Sequence, residues 1–303
     1  LATLAPRRSV WARALERWDR ELQARTGGRV RLQVFAGGAA GDEVTVVRKL
    51  RAGQLDAAAL TTTGLGHVVR PVFVLQAPGL LRSYAQLDAV RRELAPELEA
   101  QFAQAGLHLV GWADVGLARL FSAHRLQRPA DLVRTRPWAW RDNPIFEEVL
   151  REAGARGVAL ALPEVLVGLQ TGRIDTFAAS ALAAVGLQWY PYARFVSEEP
   201  IGVVLGALVV RADRWAALPV EAREAFAEAA ARHSAQGQQA VREQDERAYR
   251  AILARGLEAV PTGPARAEWE ALGRRARARL TGRLWPAELL ARVERIAAAH
   301  AGR

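Results

Sequence analysis

Val47-Arg-Lys-Leu-Arg-Ala-Gly53-Gln-Leu-Asp56-Ala-Ala-Ala-Leu60 and, about 120 residues later, Val167-Gly-Leu-Gln-Thr-Gly172-Arg-Ile-Asp175-Thr-Phe-Ala-Ala179 read as one phrase written twice. Each copy predicts a helix stopped by a glycine in the left-handed C′ position, a turn through Asp and a short buried strand. Two such units predict two similar α/β lobes. Open α/β sheets bind ligands outside the carboxyl ends of their strands, so the duplication predicts a cleft binder before any side-chain chemistry is considered.

Composition fits that expectation. The chain has 303 residues, 50% of them hydrophobic and 24% charged, which is globular composition with enough length for two cores. No apolar run approaches the roughly 18 to 20 residues needed to span a bilayer, so a soluble chain is expected. With no cysteine and no methionine, disulfides, thiolate nucleophiles and thiolate metal sites are excluded. A start directly in Leu1-Ala-Thr-Leu-Ala-Pro6 is expected to follow removal of an export signal. The net charge is +10, yet the cations are interleaved with acids, as in Arg13, Glu16, Arg17, Asp19, Arg20 and Glu21. That pattern predicts solvated helix faces rather than a nucleic-acid surface.

Reading outward from the repeat, the sequence predicts a strand over Leu1–Ala5, an amphipathic helix over Val10–Thr26 capped by Ser9, and a strand over Val30–Phe35. A helix over Asp42–Ala52, a strand over Ala57–Thr61 and a loop over Thr61–Gly66 follow. Further on come helical structure near Tyr84–Ala105, extended segments at Leu107–Trp112 and Leu117–Ser122, and strands at Thr135–Trp140, Gly157–Leu162 and Ile201–Val210. Pro219–Arg255 reads as one long helix and Glu288–Ala299 as a terminal one. With two crossings between lobes, the expected division is lobe I over 1–116 plus roughly 208–240. Lobe II is expected over 117–207, with C-terminal helices over 241–303 packing across both.

Thr26-Gly-Gly-Arg-Val, Gly41-Asp-Glu43, Gly53-Gln-Leu-Asp56, Pro129-Ala-Asp131-Leu, Pro163-Glu-Val165, Leu169-Gln-Thr-Gly172 and Asp175 stand in the order and spacing of one family. In these motifs the chain resembles the periplasmic solute-binding subunits of TRAP transporters, the DctP type, over nearly its whole length. The resemblance implies a two-lobed periplasmic-binding-protein-like α/β fold with an interlobe ligand cleft. It implies an exported, periplasmic protein, free or lipid-anchored, that delivers a small molecule to TRAP membrane subunits without changing it. Some relatives pair through long helices, and Pro219–Arg255 is the candidate surface for a homodimer. The residues agree on the chemistry: HExxH, GxSxG, GxGxxG and P-loop motifs are all missing, so no enzyme activity, metal or cofactor is expected.

The departures from the family pattern bear on the ligand. Relatives that take carboxylates hold the acid group with a bidentate arginine, and the alignment places that position at Trp138. A second family arginine falls at Ala118, beside Arg119, and a family asparagine at Ala179. Trp138 and Trp140 share one face of a strand by period-2 alternation and are candidate cleft walls, with Leu162 as an apolar neighbour. Leu4, Ala5, Glu43, Thr61 and Thr62 are candidates from the first lobe. Trp112, Ser180, Trp189, Asn143 and Arg141 complete the candidate set. Loss of the polar anchors predicts a hydrophobic or amphiphilic ligand, because a carboxylate stripped of water needs a paired donor. The alternative is a conventional organic acid held by a replacement arginine, Arg141, Arg82 or Arg7.

Overall fold

The computed structural model describes residues 1–301, and the side chains at positions 231 and 233–235 lie outside that description. The chain divides into two compact units, the first made of Leu1–Val69, Pro96–Asp114 and Leu205–Glu243. The second is made of Arg70–Ala95, Val115–Val204 and the chain from Gln244 onward. One copy of the repeated phrase falls in each.

The copies match in detail. In the first unit, α2 (Glu43–Arg51) ends at Ala52, and Gly53 adopts φ 73°. The Gly53 N–H donates to Leu50 O (3.0 Å) and the Gln54 N–H to Lys49 O (2.9 Å), the paired bonds of a Schellman motif. In the second unit the equivalent helix spans Val165–Gln170. Gly172, at φ 68°, donates to Leu169 O at 3.2 Å, and Ile174 to Gly168 O at 3.1 Å. The strands that follow, Ala57–Thr61 and Thr176–Ser180, each end in a hydroxyl residue that caps the next helix. Thr61 Oγ1 accepts from the Thr63 N–H (3.2 Å) and Ser180 Oγ from the Ala183 N–H (3.1 Å). That cap is why Thr62–Gly66, expected as a loop, is a short helix.

In chain order the strands are β1 (Ala2–Thr3), β2 (Ala57–Thr61), β3 (Leu107–Ser122), β4 (Trp138–Trp140), β5 (Val158–Leu160), β6 (Thr176–Ser180), β7 (Phe195–Ser197), β8 (Gly202–Arg211) and β9 (Glu258–Val260). The helices are α1 (Val10–Thr26), α2, α3 (Thr62–Gly66), α4 (Tyr84–Gln104), α5 (Pro144–Glu152), α6 (Val165–Gln170), α7 (Ala181–Gly186), α8 (Ala212–Ala216), α9 (Val220–Ala254), α10 (Arg266–Leu280) and α11 (Ala287–Ala299). None of the described helices is long and apolar enough to cross a membrane.

In the first unit β1 pairs in parallel with β2, and β2 runs antiparallel to β8 from Ala57↔Val210 to Thr61↔Gly206. Gly206 is required there, since a Cβ would lie 2.3 Å from Leu60 O. In the second unit β3 runs antiparallel to β6 from Ala118↔Ser180 to Ser122↔Thr176, and to β7 at Phe121 and Ser122. There β7 continues in parallel to β9, and β4 pairs in parallel with β5. Both β3 and β8 contribute residues to each unit. The first core gathers Leu15, Trp18 and Leu22 of α1 with Leu208, Val210 and Phe226. The second gathers Phe121, Trp138, Leu160, Val165, Phe177 and Trp189.

Three expectations are met differently. Val30–Phe35 makes only an isolated bridge at Phe35 because side chains take its amides: Leu32 N–H donates to Asp19 Oδ1 (2.5 Å) and Val30 N–H to Thr26 Oγ1 (3.2 Å). Arg70–Ala95 belongs to the second unit, where Gln86 Nε2 donates to Ala297 O (3.1 Å) and Arg277 Nη1 to Pro78 O (2.6 Å). The two extended segments expected at 107–112 and 117–122 are one strand, β3.

Candidate functional site

In the first unit, Glu43 opens α2 and is buried. Its carboxylate accepts from Thr61 N (2.6 Å), Thr61 Oγ1 (2.7 Å) and Gly64 N (2.7 Å). Burial pushes the Glu43 carboxyl above its usual range despite those donors. Its chemistry here is to hold the turn into α3. Thr62 is fully buried and donates to Leu205 O at 3.1 Å. Leu4 and Ala5 are half-buried just after β1. Trp112 is buried on β3, with its Nε1 unpaired among the described residues and its carbonyl accepting from Gln238 Nε2 (3.2 Å).

The second unit contains a cavity of about 200 Å³. Its wall includes Ala118 and Leu120 from β3, Trp138 from β4, Ile145, Phe146 and Val149 from α5, Thr176 to Ala178 from β6, and Ile201 to Val204 at the start of β8. The turn Ala77 to Arg82 and the first half of α10, from Arg266 through Trp269 to Gly273, complete it. Most of this surface is aliphatic or aromatic. Its charged lining residues are two cations, Arg82 and Arg266, and one acid, Glu199. Arg82 Nε donates to Gly79 O (2.9 Å) and its Nη2 approaches Glu270 Oε1 at 3.4 Å. Arg266 is exposed, and its guanidinium makes no ion pair among the described residues. Arg266 stands one turn before Glu270 on α10, and residues at that spacing share a helix face. Glu199 accepts from Thr262 N (2.8 Å) and Thr262 Oγ1 (2.7 Å). Burial disfavours its charge, but these donors outweigh burial and hold its carboxyl below the usual range. Gln76 Oε1, also on the wall, is buried without a partner among the described residues.

Of the sequence candidates, Ala118 and Trp138 are brought together on this wall. Trp138 also belongs to the core: it is 3% exposed, its Nε1 donates to Leu160 O at 3.0 Å, and its ring lies 5.5 Å from Trp140 and 5.3 Å from Trp189. Trp140, Leu162 and Trp189 pack in the same cluster without lining the cavity. Asn143 is the buried N-cap of α5, accepting from Ile145 N at 3.0 Å. Ser180 caps α7 and donates to Val115 O at 2.9 Å, and Ala179 pairs with Arg119 on the sheet. Arg119 is buried, donating to Ser197 O (3.2 Å) with its guanidinium 3.7 Å above the Tyr249 ring. Arg141 is exposed and paired with Glu164 at 2.8 Å, outside the cavity wall.

The wall residues that sequence reasoning missed come from Leu75 to Leu81, Glu199 to Val204 and α10; Arg82 was already a candidate replacement arginine. One signal was available: Gly273 interrupts the apolar stripe Trp269, Leu272, Ala276, Leu280, and a glycine inside a helical pattern marks close backbone approach. A Cβ at Gly273 would stand 2.8 Å from Pro78 O.

Comparison with known proteins places this architecture. Residues 1–279 match the model of the DctP family, described as bacterial extracellular solute-binding protein, family 7. The chain belongs to that family. A solute-binding protein of Chromohalobacter salexigens is 26% identical to this family 7 chain over 223 residues, 72% of the chain and 65% of the relative. The chain spans only 49% and 54% of two further curated relatives. A TRAP periplasmic solute-binding protein from Ralstonia eutropha H16, crystallised with (S)-2-acetolactate, superposes with a TM-score of 0.91 at 19% identity, covering 98% of each chain. One from Xanthobacter autotrophicus, with bound β-D-galacturonate, gives 0.87 at 19% identity and 98% coverage of each. At such identities these likenesses establish the fold, and the family 7 chain has the two-lobed α/β fold expected.

Proposed function

We propose that this family 7 chain is the periplasmic receptor of a TRAP-type secondary transporter, and that it carries an organic acid to the membrane subunits. The observation that carries this reading is the cavity of the second unit. It holds Ala118 and Trp138, the two positions that the family resemblance aligns with ligand arginines, and supplies two guanidiniums from elsewhere in the chain, Arg82 and Arg266. A guanidinium offers a carboxylate two parallel hydrogen bonds at a fixed spacing. The acids bound by the fold neighbours, acetolactate and galacturonate, support the same class. Among the replacement arginines expected from the sequence, Arg82 is favoured over Arg141 because it lines the cavity, whereas Arg141 lies outside the wall and is held by Glu164 at 2.8 Å. The apolar wall favours a second reading, a hydrophobic solute with no acid group.

A thermal-shift screen of short organic acids, followed by calorimetry on the hits, tests the proposal. Binding of one acid with micromolar or better affinity, weakened by Arg82→Gln, is the expected outcome. Acids that all fail while a neutral apolar compound binds would favour the second reading.

A further inference from the structure

We infer that the solute is a monocarboxylate with an apolar body, and that the cavity selects against polyhydroxylated sugar acids. This inference rests on the organic-acid reading above and narrows it. The wall against which the body would lie is built from Leu120, Trp138, Phe146, Val149, Ile201 and Trp269. None of these presents a free polar atom to a solute: the Trp138 Nε1 is engaged by Leu160 O and the Trp269 Nε1 by Gln127 O at 2.9 Å. Gln76 Oε1, the unpartnered acceptor on the wall among the described residues, could take one hydroxyl. The several further hydroxyls of a sugar acid laid against these six side chains would leave water without gaining a partner there, which opposes binding. An alkyl or aryl group gains affinity from the same surface.

The charged groups set the orientation. Arg82 and Arg266 are both partly or largely exposed, so they form a cationic rim where a carboxylate keeps part of its hydration. Glu199 is the opposing charge on the wall, and its Oε2 is occupied by Thr262. Arg82 is shared with Glu270 at 3.4 Å, whereas Arg266 makes no ion pair among the described residues, so the rim has one guanidinium to offer in full and a single carboxylate matches it. A second acid group at the far end would meet Leu120 and Trp138 unpaired, so dicarboxylates are disfavoured as well. The cavity, about 200 Å³, lies below the usual range of roughly 300–1,000 Å³ for drug-sized ligands, which fits a small acid.

The test varies the solute on the unchanged chain and then changes one residue. Calorimetry is run with acetate, butanoate, hexanoate, 3-phenylpropanoate, glucuronate and galactonate, and with methyl hexanoate. Affinity is expected to rise along the alkanoates by about fourfold for each buried methylene, with hexanoate and 3-phenylpropanoate bound more tightly than either sugar acid. Arg266→Gln, a change at an exposed position, is expected to weaken hexanoate about fivefold and to reduce its advantage over methyl hexanoate. A sugar acid bound more tightly than hexanoate, or no rise with chain length, overturns this inference and leaves the organic-acid receptor standing. Failure of every acid, or equal binding of hexanoate and its methyl ester, overturns both.

Discussion

Replacing Trp138 separates its two roles, core residue and cavity wall. Trp138→Phe removes the Nε1 bond to Leu160 O (3.0 Å), worth about 1 kcal/mol, and part of the ring overlap with Trp140, Trp189 and Phe146, whose centroids lie 5.5, 5.3 and 5.9 Å away. Such aromatic pairs contribute about 0.5–1.5 kcal/mol each beyond area burial, so a total loss of about 1–2 kcal/mol is expected. Trp138→Ala removes the whole side chain from a site that is 3% exposed and is expected to cost about 3–5 kcal/mol. Trp138→Arg, which restores the residue type the resemblance places there, puts a cation among the apolar side chains of Leu160, Trp189 and Phe177. It is expected to destabilise at least as much as the alanine change. The assay is urea unfolding followed by far-ultraviolet circular dichroism, with calorimetry of whichever solute the screen identifies alongside. A loss below about 1 kcal/mol for Trp138→Ala would show that the ring is not in the core and would refute this reasoning.

Other outcomes follow from single contacts. Gly116, at φ 137°, has room for no Cβ, since one would lie 2.5 Å from Ser180 Cβ and 2.7 Å from Asp245 Cγ; Gly116→Ala is expected to cost about 2 kcal/mol or more in chemical denaturation. Glu43→Ala leaves the Thr61 and Gly64 amides without their acceptor and is expected to cost about 3 kcal/mol, with Glu43→Gln milder because its carbonyl oxygen still accepts. The Asp175 anion is opposed by burial, but donation from the Arg136 N–H, the Arg136 guanidinium and Thr176 outweighs it and lowers the pKa. A depressed carboxylate stabilises the fold above its unfolded pKa of about 3.9, and that contribution disappears as the pH falls through the folded value. Melting temperature followed from pH 6 to pH 2 should therefore fall less steeply in Asp175→Asn, from a lower starting point, than in the unchanged chain.

The repeated phrase was legible because its determinants are local. Gly53 and Gly172 need the left-handed region, and Thr61 and Ser180 cap the next helix, whatever the rest of the chain does. The strand expected at Val30–Phe35 alternates correctly, but Asp19 and Thr26 of the preceding helix take its amides, a competition that periodicity does not report. The two aspartates of the repeat also diverge for non-local reasons: Asp56 is exposed beside Arg214, whereas Asp175 is buried against Arg136. Trp138 and Ala118 could be singled out because they depart from a family pattern. Most of the cavity wall could not, because residues 75–81, 199–204 and 266–273 are distant in sequence and meet only through packing of α10. Arg266 lies in a helix with many arginines, and only its place at the cavity distinguishes it.

The most direct test of the central claim is to purify the chain without refolding, release what co-purifies by denaturation, identify it by mass spectrometry and titrate it back into ligand-free protein by calorimetry. The account predicts a small carboxylic acid that rebinds at one per chain and loses affinity when esterified. A neutral molecule that rebinds equally well, or an acid whose affinity is unchanged by esterification, would contradict it.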